Sequence, residues 1–331
     1  MLATKNYKFW FCTGSQDLYG DECLANVAEH SKIIVAKLNE SGVLPFEVVW
    51  KPTLITNELI RKTFNEANMD EECAGVITWM HTFSPAKSWI LGLQEYRKPL
   101  LHLHTQFNEE IPYDTIDMDF MNENQSAHGD REFGFICTRL NINREVVVGY
   151  YKNESVIEKI KAFASVAKTI DFSKGMRVAM FGNNMRDVAV TDGNRVSAEV
   201  KFGWSVNYYA VGDLVDEISK VTEGEIDALM EEYSAKYTIV TDKIDSIREQ
   251  AKYEIALKRF MERGNFGAYT NTFEDLHGMK QLPGLASQRM MEHGYGFGAE
   301  GDWKTAAMLR IMKSMAGGEK TAFMEDYTYH L

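Results

Sequence analysis

The sequence predicts an α/β protein with two doubly wound parallel-sheet domains, on three observations. Short β-branched or aromatic runs alternate with amphipathic helical stripes, and alternation at crossover spacing requires a parallel sheet covered on both faces. The alternation restarts after a polar stretch at 171–175. At about 150 residues per domain, the 331 residues of the chain make two units.

In the first half, the runs at 7–12, 46–50, 75–79, 99–103 and 146–150 read as strands. Leu24, Val27, Ser31, Ile34 and Leu38 recur at helical spacing, with Gly42 following as a stop signal. Val156, Ile160, Phe163, Ala167 and Ile170 form a second stripe, with Asn153 placed to cap it. The second half opens on a strand at 177–181 and continues with a strand near 206–211 and helices around 214–219 and 225–234. A long helix at about 244–263 is ended by Gly264, and its Glu254 and Lys258 lie four apart, the spacing of a surface ion pair. After Gly317 and Gly318 the residues 321–331 look like the start of something else. The domains are therefore expected at 1–170 and 171–316, with 317–331 opening a further one.

Composition narrows the function. Apolar residues are 45% and charged residues 25%, near the globular average. Lys and Arg number 36 against 48 Asp and Glu, a net charge of −12, which excludes a general nucleic-acid binder because phosphate recognition needs a cationic footprint. It suits an enzyme whose substrate is neutral or metal-assisted. No run approaches the roughly 18 apolar residues of a membrane span, and the N-terminal apolar run is too short for a secretory signal. A cytoplasmic location is expected. The four cysteines (Cys12, Cys23, Cys73 and Cys137) have no metal-site spacing and read as buried thiols.

Ligands of open α/β sheets bind at the carboxyl ends of strands. The first such loop, Gly14 to Gly20, is not a G-x-G-x-x-G fingerprint, so a dinucleotide site is unsupported. Its amide, carboxylate and phenol suit a hydroxyl-rich ligand; a plain turn using glycine for backbone freedom fits as well. His81, Thr82, Phe83, Ser84 and Pro85 follow the third strand. His102 and His104 lie on one face of the fourth. Such a pair can ligate zinc or manganese or be hydrogen-bonded structure, and no third ligand is evident nearby. Asn124, Gln125 and His128 sit at a helix end, as site residues or as a satisfied cap.

The densest polar signal lies near the C-terminus. Three small residues precede Glu300 and would let the backbone approach a ligand; Gly301 and Asp302 follow. The next helix carries Met308, Ile311, Met312 and Met315, a stripe assigned to core packing. Glu325 then sits on a probable strand among aromatics. Two glutamates from separate elements could share one divalent cation or act as an acid/base pair; they also read as a helix cap and a surface acid.

The motifs GSQDLYG, HTFSPAK, HTQFN, DMDFMN, QSAHG, FGNNMRDVAVTDG, TFEDLHG, AEGDWKTA and FMEDYTYH, in that order, resemble those of L-arabinose isomerase along essentially the whole chain. The resemblance implies an aldose–ketose isomerase acting on L-arabinose and L-ribulose, and also on D-galactose and D-tagatose, with Mn²⁺. It implies that Glu300 and Glu325 ligate the metal and double as the acid/base pair. Gln16, Leu18, Tyr19, Phe83, Met185, Phe273 and Tyr327 would line the sugar pocket. Gln125 and His128 would reach a neighbouring subunit's site in a homohexamer. It also implies a C-terminal, mostly β domain that supplies two histidine ligands; this chain, ending at Leu331, holds only its beginning and is expected to be a fragment or a short form. The competing reading is a non-catalytic sugar-binding module of two α/β domains, which has no need of Glu300 and Glu325. An NAD-dependent oxidoreductase lacks its fingerprint.

Overall fold

In the computed structural model, which describes residues 5–317, 320–324 and 328–330, the strand–helix alternation becomes two separate parallel sheets. The first contains β1 (Lys8–Gly14), β2 (Glu47–Trp50), β3 (Cys73–Met80), β4 (Leu100–His104) and β5 (Glu145–Val148). Their order is β2-β1-β3-β4-β5, and every pairing is parallel. The crossovers carry α1 (Gly20–Glu40), α2 (Asn57–Met69), α3 (Ile90–Glu95), α4 (Met118–Glu123) and α5 (Ser126–Arg139), and α6 (Glu154–Ser173) follows β5. Strand β3 is buried throughout and β1 almost so, which is why both read as near-continuous apolar runs. On one face Phe9, Phe11, Ile77 and Leu101 pack with Ile34 and Leu38 of α1 and Ile160 of α6. On the other, Trp10, Cys12, Val76 and Met80 pack with Phe64 of α2, Leu93 of α3 and Phe133 of α5.

The predicted helix signals have physical counterparts. α1 stops at Glu40, and Gly42 takes the left-handed φ of 67°. Asn153 immediately precedes α6, and its carbonyl accepts from the amides of Val156 and Ile157. Cys12, Cys73 and Cys137 are buried free thiols, whereas Cys23 is half-buried.

The second sheet contains β6 (Arg177–Phe181), β7 (Ser205–Tyr209), β8 (Phe266–Asn271) and β9 (Gly296–Gly298), ordered β7-β6-β8-β9 and again parallel. Its helices are α7 (Arg195–Phe202), α8 (Val211–Ser219), α9 (Glu223–Lys236), α10 (Ile244–Arg263), α11 (Gly284–Glu292) and α12 (Trp303–Met315). The chain divides into two compact units between Asp171 and Phe172, at the end of α6.

Several expectations are corrected here. The methionine stripe of α12 is not core: Met308, Met312 and Met315 are its exposed face. The buried face presents Ala306, Ala307 and Leu309, because α12 lies almost against the backbone of β9. A Cβ on Gly296 would stand 2.0 Å from the Ala306 carbonyl oxygen, and one on Gly298 would stand 2.4 Å from that of Asp302. These glycines therefore admit a helix, not a ligand. Gly296→Ala is expected to cost about 1–3 kcal/mol by overpacking, while Met308→Ser should stay within about 0.5 kcal/mol; thermal unfolding of the two variants checks the contrast.

Glu254 makes no surface pair with Lys258. It is 3% exposed, because its face of α10 turns towards Tyr233 of α9 and Arg289 of α11, which both bond to its carboxylate. Gly264 closes α10 in the right-handed region, and it is Asn265 that turns left-handed. The probable strand at 323–330 has no regular structure at 323–324 and 328–330, and the remaining residues, Glu325 and Tyr327 among them, lie outside the described residues.

Candidate functional site

The carboxyl ends of the first sheet gather most of the predicted residues of that unit. β1 ends at Gly14, where a side chain would meet Met80 Sδ at 2.6 Å and Ser84 Oγ at 2.7 Å. This glycine serves close approach of the strand to its neighbours rather than backbone freedom. The next hydroxyl, Ser15 Oγ, hydrogen-bonds Thr82 Oγ1 at 2.8 Å and ties the loop after β1 to the loop after β3. Gln16 is half-buried, Leu18 is 79% exposed, and Tyr19 closes a short 3₁₀ turn before Gly20 at φ 82°. After β3, the half-buried Phe83 ring packs on His128 with centroids 4.5 Å apart. The Gln125 amide N–H donates to the His81 carbonyl at 3.1 Å, bringing the start of α5 to that loop. Phe83, Gln125 and His128 are thus assembled by the fold.

Two further clusters in this unit have the composition and spacing to hold a metal ion: His30, His81 and Glu123, and His102, His104 and Asp130. In the first, His30 Nδ1 and His81 Nε2 are 2.7 Å apart, with Glu123 Oε1 3.4 Å from His30. Stacking on Phe107 and on Trp79 fixes the two ring planes. Burial pulls the His81 imidazole down to about 3. In the second, His102 Nε2 is 2.9 Å from Asp130 Oδ1, and His104 Nδ1 is 3.8 Å from Oδ2. Burial lowers His102 to about 3 and raises the Asp130 carboxyl to about 8.

In the second unit, three loops meet at the carboxyl ends of β6, β8 and β9. The loop after β6 carries Met185, whose amide donates to the Glu300 carbonyl at 2.9 Å. Asn184 Nδ2 donates to the Gly301 carbonyl at 3.0 Å. The Asn183 and Arg186 amides donate to the carboxylates of Asp275 and Glu274. Those acids follow the exposed Phe273 on the turn after β8. The Gly301 amide donates to the Asn271 carbonyl at 3.0 Å. Gly301 is obligatory, at φ 79° with Asn184 Cα 2.5 Å from where a Cβ would stand.

Glu300 stands at the centre of this clamp with φ 59°. A non-glycine residue held left-handed costs about 1–2 kcal/mol and persists only where its surroundings over-determine it. The two acids of the loop divide their roles: Asp302 caps α12, accepting from the Lys304 and Thr305 amides. Among the described residues the half-buried Glu300 side chain has no ion-pair or hydrogen-bond partner. At the end of β8, whose Asn271 carbonyl accepts from Gly301, Thr270 Oγ1, Asn271 Nδ2 and Thr272 Oγ1 are buried without partners among the described residues. Orphaned polar atoms of this kind call for a ligand or water.

The L-arabinose isomerase N-terminal domain family matches residues 3–175, and the L-arabinose isomerase central domain family matches 177–318. The chain belongs to the L-arabinose isomerase family. It is 58% identical to the L-arabinose isomerase of Geobacillus stearothermophilus over 337 aligned positions, spanning all of this chain and 68% of that protein. The corresponding enzymes of Clostridium beijerinckii and Bacillus subtilis are 59% and 53% identical over the same shares. The protein is thus a member of an isomerase family. No helix among its described residues is long and apolar enough to cross a membrane.

Sequence reasoning singles out Glu300 as a candidate but says nothing of its setting. Asn271 and the left-handed φ carry no local signal. Asp130 was missed as the partner of His102 and His104 because it lies on a helix 26 positions later than His104. Only the packing of α5 on β4 brings them together.

Proposed function

We propose that this chain carries out, or supplies the N-terminal and central parts of a protein that carries out, the interconversion of L-arabinose and L-ribulose. The same reading extends to D-galactose and D-tagatose. The observation that supports it best is Glu300, a carboxylate with no partner among the described residues, on a strained and clamped backbone at the carboxyl end of a parallel sheet. A hard divalent cation fits this donor set, since carboxylate oxygen suits Mn²⁺. Glu300 and Glu325 are the side chains that would hold it. When bound, such an ion polarises the carbonyl and the adjacent hydroxyl of the open-chain sugar, acidifying the C2 proton.

One of the two glutamates is proposed to remove the proton from C2 and return it to C1, a role that suits a carboxylate not already neutralised by a lysine or arginine. Among the described residues Glu300 meets that condition. Gln16, Leu18, Tyr19, Phe83, Met185, Phe273 and Tyr327 are each proposed to be sugar-binding residues, as the family resemblance implies. Gln125 and His128 are proposed to serve a neighbouring subunit in a homohexamer. A cytoplasmic location completes this reading.

The test is ketose formation from L-arabinose and from D-galactose, after chelation and again with added Mn²⁺, for this chain and for one extended to the length of its relatives. Metal-dependent ketose from the extended chain supports the proposal. Sugar binding by the extended chain without any turnover would favour the binding-module reading.

A further inference from the structure

We propose that His102, His104 and Asp130 form a zinc-type metal site within the first unit, made without Glu300 or Glu325. Three features carry the inference. The first is convergence: β4 places its two imidazoles on one face, and α5 sets Asp130 between them, with the three donor atoms within 4.8 Å of one another. The carboxylate contacts of 2.9 and 3.8 Å straddle the spacing of about 3.3 Å expected between ligands each about 2.0–2.1 Å from a tetrahedral Zn²⁺.

The second feature is orientation of the ligand behind its binding atom. The parallel register sets Thr78 of β3 beside His102, and Thr78 Oγ1 lies 2.7 Å from His102 Nδ1. A ligating histidine commonly gives its second nitrogen to such a partner, which fixes the ring and leaves Nε2 for the metal. His104 turns Nδ1 to Asp130 and keeps Nε2 buried without a hydrogen-bond partner among the described residues, and its side chain, 27% exposed, gives solvent a way in.

Charge is the third. Asp130 is 4% exposed, and among the described residues it pairs with no lysine or arginine. Arg144 is near enough for its charge to act on both imidazoles, yet makes no ion pair with Asp130. A buried carboxylate is stable only when paired, protonated or coordinated. Two imidazoles and one carboxylate favour Zn²⁺, Co²⁺ or Ni²⁺ over Ca²⁺ or Mg²⁺. The His30, His81 and Glu123 cluster lacks this demand, because the side chain of Glu123 is 22% exposed and also accepts from Asn26.

Co²⁺ titration of the chain carrying Glu300→Gln and Glu325→Gln, followed by its visible ligand-field absorption, tests the site. We expect a saturable band with nitrogen and oxygen ligation, abolished by competing Zn²⁺. Asp130→Asn and the half-exposed His104→Ala should each weaken Co²⁺ at least about tenfold, with far-ultraviolet circular dichroism showing both variants folded. Unaltered Co²⁺ binding in either folded variant overturns the site, as does a band lost on His30→Ala alone. Absence of any band up to millimolar Co²⁺ overturns it as well, leaving a proton as the group that neutralises Asp130.

Discussion

Glu300→Gln is expected to lower ketose formation by about 10²–10⁴-fold, the range of a general acid–base group, and by more where the same group also holds the metal. The substitution keeps the side chain's size and its Cβ, so the cost of the left-handed backbone is unchanged. The clamp is made by main-chain atoms of Glu300 and Gly301 and survives as well. Unfolding temperature should therefore hold while turnover collapses. A carboxylate in the proposed acid–base role acts on the transition state more than on bound sugar, so the loss should fall on kcat rather than KM. Added Mn²⁺ should not restore the rate, since the proposed proton acceptor is gone. A chain of full family length provides the assay, and near-normal turnover there would remove the mechanism.

The largest expected effect on stability belongs to Arg289, whose side chain is 1% exposed. Its guanidinium bonds Glu254, Glu232, Glu292 and Tyr237, joining α9, α10 and α11. Arg289→Met should cost about 3–5 kcal/mol, because it leaves Glu254 buried without its cation. Adding Glu254→Gln should recover much of that loss, since the uncompensated charge is then gone. Burial pushes the Glu254 carboxyl up, but hydrogen bonds from His293 and Tyr233 and the Arg289 charge outweigh it and hold it below its ordinary value. A depressed carboxyl contributes stability above its unfolded value of about 4.3 and loses it as pH falls through the folded value. The gap between the parent chain and Arg289→Met should accordingly be widest near neutrality and narrow below about pH 4. Urea unfolding at pH 7 and pH 4 measures it, and a gap independent of pH would assign the loss to packing.

What was legible locally follows from periodicity. The runs that became β1, β3 and β4 are apolar because both faces of a central parallel strand are buried, and Gly42 and Asn153 flank helices whose ends are local events. β8 escaped notice because FGAYTN mixes small and polar residues; its burial comes from β6, β9 and the helices over them. The methionines of α12 misled for a related reason. Spacing shows that a stripe exists, but not which face meets the sheet, and here the close approach of α12 to β9 sets Ala306 and Ala307 inward.

The sequence by itself determined the fold class and the family, because alternation and long ordered motifs are properties of the chain read in one dimension. Tertiary structure decided which acid caps and which has no partner among the described residues, where Glu254 goes, and that His102 and His104 have a carboxylate between them. Those outcomes depend on which distant segments share a low-dielectric interior. A charge or imidazole has the same letters on the surface and in the core, and only burial and neighbours decide whether it is solvated, paired or left for a ligand.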